Sequence, residues 1–414
     1  MPQMTNRRRV LVIAYFFPPV AGAGVQRTLK FVRHLVPLGW DATVISTRSR
    51  VYSVRDETLL DEIPDSTRVI RTVALPVARY AGIVLQRLGL NRLRAYVLWP
   101  DSGLGWLPFA FAAALRETRR SRPDVLVSTS APYGGHLAAL FVARLTGVPW
   151  VADFRDEWST NPHGGEQPRG LTALTLRTER AITRRANKVV VAADYFHLAG
   201  LPAGDPRRVE IMNGVDGDDL PETSTSRSTD RFVLAHVGTL YGIRDPSPVF
   251  RALAALAGRG EIDRRRLQVR LVGNVWLPDF EPPAGLRVET TGYVDHARAL
   301  EEMHDATALL LYVPHVSLAP TGKLYEYLAS GRPLLCLTRE DNLASRLVRE
   351  LDAGVVAEPD DQAAIERAFL GLWQRWSEKG LPDQEEVRAR TIDRYSRRAA
   401  AERLAQVLDE ASRD

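Results

Sequence analysis

The chain has 414 residues, and at about 150 residues per domain it is expected to form two or three domains. Hydrophobic residues make up 45% and charged residues 25%, a globular balance that excludes whole-chain disorder. The single cysteine, Cys336, excludes an intramolecular disulfide framework and a Cys-rich metal cluster. The net charge of +5 is the sum of a basic first half (29 Lys+Arg against 17 Asp+Glu over residues 1–215) and an acidic second half (26 against 33). Such an asymmetry predicts two domains with different partners, the basic one suited to phosphates or an anionic surface.

In chain order, Arg7, Arg8 and Arg9 precede an apolar run ending at Tyr15-Phe16-Phe17-Pro18-Pro19. The run has no small-residue cleavage site, so it reads as a first strand over residues 10–14 and not as a signal peptide. Helical spacing of Leu29, Val32, Leu35 and Val36 predicts a helix over 25–38, ended by Gly39, and a strand follows at 42–46. Residues 66–100 hold six arginines and no Asp or Glu. Within them Val77, Tyr80, Ala81, Val84, Leu85 and Leu88 form one apolar helical face, with Arg79 and Arg87 off it. Such a helix either lies in a membrane interface or packs on its own domain. The apolar run at 104–115 is short and holds Pro108, so no membrane-spanning helix is expected.

Strands at 125–128, 150–154, 188–192 and 209–212 alternate with helices at 136–146 and 171–186. This order predicts a parallel, doubly wound sheet. The polar stretch 221–230 reads as a boundary loop, after which the pattern restarts. Strands are predicted at 232–236, 268–272, 286–290, 308–312, 333–337 and 354–357, and helices at 248–258, 295–303, 324–330, 342–350, 362–378 and 384–411.

Gly22-Ala23-Gly24 sits where a dinucleotide fingerprint would, but Arg27 takes the third glycine position and no carboxylate follows the second strand. Gly322-Lys323 resembles the end of a P-loop, yet Leu324 replaces its Ser or Thr. No Gly-x-Ser-x-Gly or His-Glu-x-x-His motif occurs, which leaves no case for a hydrolase triad or a zinc site.

Four segments carry a resemblance. They are 15–24 (YFFPPVAGAG), 151–158 (VADFRDEW), 211–216 (IMNGVD) and 321–333 (TGKLYEYLASGRP). In this order and spacing the chain resembles the retaining glycosyltransferases of family 4 over nearly its whole length. The resemblance implies an α/β GT-B fold, two tandem doubly wound Rossmann-like domains facing a central cleft. Residues 1–215 would bind the acceptor and 216–390 the nucleotide-sugar, and the C-terminal helix over 391–414 would pack back on the first domain.

The resemblance also assigns roles. Gly22 and Gly24 form a glycine loop at the end of the first strand, where the backbone can approach a ligand or simply turn. Arg27 either meets a phosphate or is a solvated helix residue. Asp153, Arg155 and Asp156 crowd the end of a buried strand, as catalytic groups or as a structural ion pair. Arg155 stands where many relatives place a sugar-contacting histidine; as a permanent cation it acts electrostatically or holds Asp153 or Asp156. His136 either faces the cleft or is a surface residue at a helix start. Gly238, Thr239 and Arg244 form the loop that meets the donor diphosphate. Thr321, Gly322 and Lys323 open a helix whose N-terminus favours phosphate. Glu326 matches the second Glu of the Glu-x7-Glu pattern and would bond the ribose hydroxyls, whereas the first Glu is replaced by Leu318. No metal or other cofactor and no protein nucleophile is implied, and no nucleic-acid partner. The expected reaction is retaining transfer from a nucleotide-sugar to an acceptor hydroxyl in cell-envelope or exopolysaccharide synthesis. The acceptor would be lipid-linked or anionic, and the protein cytoplasmic, peripheral on an anionic inner membrane face. A soluble natural-product acceptor, a sugar-nucleotide epimerase and a silent nucleotide-sugar-binding scaffold are the alternatives.

Overall fold

The computed structural model describes residues 7–21, 23–48, 55–101, 103–160, 168–221, 230–242, 244–278, 280–313, 322–381 and 384–413. The chain forms two compact units, Met1–Asn213 with Arg397–Asp414, and Gly214–Ser396.

Unit 1 is built on seven parallel strands: β1 (Arg8–Ile13), β2 (Trp40–Thr47), β3 (Arg68–Thr72), β4 (Val125–Ser130), β5 (Trp150–Phe154), β6 (Lys188–Val191) and β7 (Arg208–Glu210). Their order is β3-β2-β1-β4-β5-β6-β7. In register, Val10 lies opposite Ala42 on one side and Val125 on the other. The central strands are buried on both faces, hence the continuous apolar runs of β1, β4 and β5. The helices are α1 (Ala23–Leu35), α2 (Val77–Arg87), α3 (Asn91–Val97), α4 (Leu107–Ser121), α5 (Gly134–Thr146) and α6 (Arg169–Arg185). α5 ends at Gly147, whose φ of +73° and N–H to the Ala143 carbonyl (3.1 Å) close the helix.

Unit 2 repeats the design. Strands β8 (Phe232–Val237), β10 (Leu267–Val272), β12 (Arg287–Gly292), β13 (Ala308–Tyr312), β14 (Leu334–Leu337) and β15 (Gly354–Ala357) make a parallel sheet in the order β12-β10-β8-β13-β14-β15. A short parallel pair, β9 (Leu240–Tyr241) and β11 (Val275–Trp276), extends beyond it. The helices are α7 (Ser247–Gly258), α8 (His296–Asp305), α9 (Gly322–Ala329), α10 (Leu343–Glu350), α11 (Gln362–Lys379) and α12 (Glu385–Arg394). Phe232, Phe369, Trp373 and Trp376 cluster on one face of the sheet, with ring centroids 5.0–6.3 Å apart.

Strand order reverses between β1 and β4 in unit 1 and between β8 and β13 in unit 2. At such a point the loops leaving adjacent strands diverge, so the carboxyl ends open a crevice where α/β sheets take ligands.

Several elements depart from the sequence reading, among them α4, β9 and β11, which it did not predict. β3 was not predicted, because its partly exposed Arg-Val-Ile-Arg-Thr has too few apolar residues to signal an edge strand. The short helix α3 is likewise additional. The single helix expected over 384–411 is two, α12 and α13 (Arg397–Ala411). The break falls at Tyr395, whose carbonyl accepts the Val215 N–H at 2.9 Å and whose ring packs 4.9 Å from Tyr325. α13 buries Ala401, Leu404, Val407 and Leu408 against Val25, Leu29 and Val32 of α1, and Lys188 Nζ holds Glu410 at 2.7 Å.

Candidate functional site

In unit 1 the carboxyl ends of β1, β4 and β5 gather the residues expected there. Asp153 is the fourth residue of β5 and only 2% exposed. Its partner is Arg27 of α1. The Arg27 Nη2 donates to Asp153 Oδ1 at 2.8 Å and Nε to Oδ2 at 3.2 Å, while Thr129 Oγ1 donates to Oδ2 at 2.8 Å. Arg27 also donates to the carbonyls of Ile211 (2.8 Å) and Met212 (3.1 Å), and its guanidinium lies 4.7 Å from the Phe31 ring. The sequence left Arg27 between a phosphate contact and a solvated face. It is neither: it is buried and ties the first helix to β5 and to the end of unit 1's sheet. Burial on its own would raise the Asp153 carboxyl; the Arg27 charge and hydrogen bonds, Thr129 and the Arg155 charge outweigh it and hold the group below the ordinary carboxylate range. With both oxygens committed, Asp153 is a positioning anion and not an available base.

Arg155 does not hold Asp153. Its Nη1 donates to the Gly24 carbonyl (2.7 Å), Nη2 to that of Ala131 (2.6 Å) and Nε to that of Ser130. Burial is the main influence lowering its pKa, with the nearby carboxylates of Asp156 and Asp153 acting against it. A Cβ at Gly24 would sit 3.0 Å from Arg155 Nη1 and 3.2 Å from Phe16 Cδ2. What approaches this glycine is therefore the Arg155 side chain. Asp156 is exposed, beyond the strand. Gly22 lies outside the described residues.

His136 is fully buried, which removes one of the two readings the sequence left open, a surface residue at a helix start. Gly134 and Gly135 precede it in α5, so the helix begins inside the core and the imidazole packs 4.4 Å from Phe154. Nδ1 bonds Ser128 Oγ at 2.7 Å, which also accepts the Trp150 indole N–H at 2.8 Å. Burial pushes its pKa down to about 3, so the ring is neutral near pH 7. A stack that sequence reasoning missed lies beside it: Tyr133 is parallel to Trp158 at 4.6 Å, and its hydroxyl donates to the Glu157 carbonyl at 2.6 Å.

In unit 2, β8 is followed by Gly238, whose N–H donates to the Val272 carbonyl at 2.8 Å. A Cβ at Gly273 (φ +123°) would come 2.5 Å from the Gly238 carbonyl oxygen, so the ends of β8 and β10 meet only as glycine backbone. Thr239 follows, then Arg244, whose guanidinium lies 5.0 Å from the exposed Tyr241 ring. α9 starts at Gly322 and buries Leu324, Tyr325, Tyr327 and Leu328, which leaves Lys323 half-buried in its first turn. Lys323 Nζ pairs with Glu326 Oε2 at 3.1 Å, one turn along. Tyr327 locks this helix to β8: its hydroxyl accepts the Val237 N–H at 2.7 Å and donates to the Val237 carbonyl at 3.2 Å. Thr321 and Leu318 lie outside the described residues.

His236, which the sequence did not single out, joins this group. Its Nδ1 bonds the Leu310 carbonyl at 2.9 Å, so this nitrogen carries the proton. Nε2 has no protein partner among the described residues and lies 3.5 Å from where a Gly238 Cβ would be. Burial lowers its pKa to about 4; the carbonyl bond opposes this, and the charges of Arg244 and Lys323 add to it. A lone histidine ending an apolar strand gave no pattern by which to find it. The structure thus brings together Gly238, Arg244, Gly322, Lys323 and Glu326: two cations and a buried carboxylate at a strand end and a helix start. Among the described residues no cluster of His, Cys, Asp or Glu could hold a metal ion.

Comparison with known proteins bears on the fold. Residues 22–210 match the model of the glycosyl transferase 4-like domain. The fold is similar to that of Anabaena Alr3699/HepE in complex with UDP (TM-score 0.65, 16% identity, 97% of this chain and 99% of that one). It is also similar to sucrose-phosphate synthase from Thermosynechococcus elongatus (0.66, 15%, 97% and 98%). A third similar structure is S. aureus TarM in complex with Fondaparinux, alpha-GlcNAc-glycerol and UDP (0.61, 9%, 97% and 99%). No curated protein sequence matches the chain. Residues 22–210 thus carry a glycosyl transferase 4-like domain, and the chain as a whole has the GT-B fold of two doubly wound units.

Proposed function

We propose that the protein is a retaining glycosyltransferase that moves a sugar from a nucleotide-sugar to an acceptor hydroxyl, the donor held by unit 2 and the acceptor by unit 1. The observation that carries this is the Lys323–Glu326 pair in the first turns of α9, beside the switch point of the unit 2 sheet. A carboxylate there accepts two ribose hydroxyls. Lys323, Arg244 and the N–H groups opening α9 face the diphosphate and stabilise the charge it gathers as the glycosyl bond breaks. With Lys323 drawn off by phosphate, Glu326 exchanges its ammonium partner for hydroxyl donors. No metal is required in this scheme, because fixed cations and backbone dipoles meet the charge.

In unit 1, Arg27 and Asp153 brace the strand ends, Arg155 holds the Gly24 and Ser130–Ala131 backbone, and Asp156 is the exposed carboxylate we assign to the acceptor. His136, buried and neutral, supports this wall and takes no part in proton transfer. The UDP bound in two of the similar structures supports a uridine nucleotide donor, and the alpha-GlcNAc-glycerol bound to TarM supports a carbohydrate acceptor. The basic first half supports a lipid-linked or anionic acceptor and a peripheral place on the inner face of an anionic membrane.

The test is a panel of UDP-, GDP-, dTDP- and ADP-sugars against wild type and Glu326→Ala, read by thermal shift, followed by the product anomer. Stabilisation of about 2.7 kcal/mol at 100 times the dissociation constant, confined to one nucleotide and lost in the variant, is expected. An unchanged shift in Glu326→Ala would refute the ribose assignment, and an inverted product linkage would refute retention.

A further inference from the structure

Five arginines, Arg144 of α5 and Arg177, Arg180, Arg184 and Arg185 of α6, line one open pocket of about 570 Å³ in unit 1. Among the described residues none of the five forms an ion pair with a carboxylate; Arg185 donates to the Ala143 carbonyl at 2.7 Å. Five cations that converge with no counter-charge among the described residues repel one another, an arrangement that an anion relieves. A second cavity of about 500 Å³ shares Arg144 and is otherwise apolar, lined by Leu107, Pro108, Phe111, Phe141 and Leu145. Phe141 and Leu145 are exposed, Leu145 by 63%.

The acid-free segment continues this surface. On α2 the apolar face is divided: Ala81 and Leu85 are half-buried, while Tyr80, Val84 and Leu88, one turn apart in sequence, stand 64%, 55% and 65% exposed. On α3, Leu93 and Tyr96 are exposed as well. α3 abuts α6 at its start, since a Cβ at Gly170 would meet Tyr96 Oη at 2.7 Å, and Trp99 Nε1 donates to Thr175 Oγ1 at 3.1 Å. Four residues beyond Gly170, Leu174 begins a stripe that continues through Arg177, Ala181 and Arg184, with Leu174 itself 40% exposed.

We propose that the α4–α6 face with the α2–α3 hairpin is a docking surface for an anionic phospholipid bilayer. The arginine pocket takes headgroup phosphates, and the adjoining groove and the outer edge of α2 enter the acyl boundary. Charge complementarity supplies the sign of the partner, and the apolar side chains distinguish a bilayer from a soluble polyanion, which would leave them in water. The proposal rests on the membrane part of the reading above and not on the transfer reaction.

The experiment is flotation of the whole chain with phosphatidylglycerol–phosphatidylcholine vesicles and with phosphatidylcholine vesicles. It is run on wild type, Arg177→Gln/Arg180→Gln/Arg184→Gln and Val84→Gln/Leu88→Gln, with thermal melting to confirm folding. Wild type should bind the anionic vesicles, less as salt rises. The arginine variant should lose roughly 100-fold in partitioning, about five-fold per charge. The α2 variant should lose the portion that persists at high salt. If wild type ignores anionic vesicles at low salt, the membrane reading and this surface both fail. If wild type binds and the arginine variant binds equally, the surface is wrong while the membrane reading stands. If the arginine variant loses binding and the α2 variant keeps all of it, including the portion that persists at high salt, the entry of α2 into the acyl boundary is overturned.

Discussion

Replacing Arg27 with methionine tests the account of the unit 1 site. The substitution keeps the stem that packs on Phe31 and removes the guanidinium from Asp153 and from the carbonyls of Ile211 and Met212. It leaves a carboxylate only 2% exposed, with Thr129 as its remaining hydrogen-bond donor of those described here. Breaking one side of a buried ion pair costs about 3–5 kcal/mol, and in a unit of this size each kcal/mol moves the midpoint by about 2–4 °C. Calorimetry should therefore show the unit 1 transition falling by about 6–20 °C at pH 7. The deficit should narrow on acidification. In wild type the Asp153 carboxyl titrates below its unfolded value, so its stabilising contribution is present above about pH 4 and is lost as pH falls further. Without Arg27, burial raises that carboxyl, and protonation relieves the buried charge. Arg27→Met/Asp153→Leu should recover part of the loss, though the two carbonyls still lack their donor. A shift under about 2 °C for Arg27→Met, or a deficit that widens on acidification, would refute the reasoning.

Lys323→Met should weaken donor affinity by roughly 10- to 150-fold, the value of a charge-assisted hydrogen bond of about 1.5–3 kcal/mol, as measured by calorimetric titration with the donor that the panel identifies. His136, neutral with a folded pKa of about 3 against an ordinary 6.5, contributes stability that is full above about pH 6.5 and falls by up to about 1.4 kcal/mol per pH unit below it. His136→Leu should flatten the acid limb of the stability curve, measured by denaturant unfolding between pH 7 and pH 5. Gly24→Ala should cost about 1–3 kcal/mol by pressing on Arg155 Nη1 and the Phe16 ring, and a crystal structure should show Arg155 displaced from the Gly24 carbonyl.

The tandem doubly wound architecture was legible because strands buried on both faces must be apolar throughout, and β1, β5, β8 and β13 could therefore be located within a residue or two. Glu326 and Lys323 were legible as a motif at a helix start, and the fold places them one turn apart in α9. Sequence alone did not reveal who partners whom. Arg155 is two residues from Asp153, yet the bond goes to Arg27, 126 positions away, because β5 and α1 are adjacent only once β1, β4 and β5 have assembled. The same assembly buries His136 in a helix that starts inside the core and aims Nε2 of His236 toward Gly238. Composition determined that residues 66–100 carry no acid; only tertiary packing decided which edge of α2 faces the protein and which faces solvent. Local pattern determines the elements, because periodicity is a property of neighbours in sequence. Charge pairing and burial are properties of neighbours in space, and these the fold alone decided.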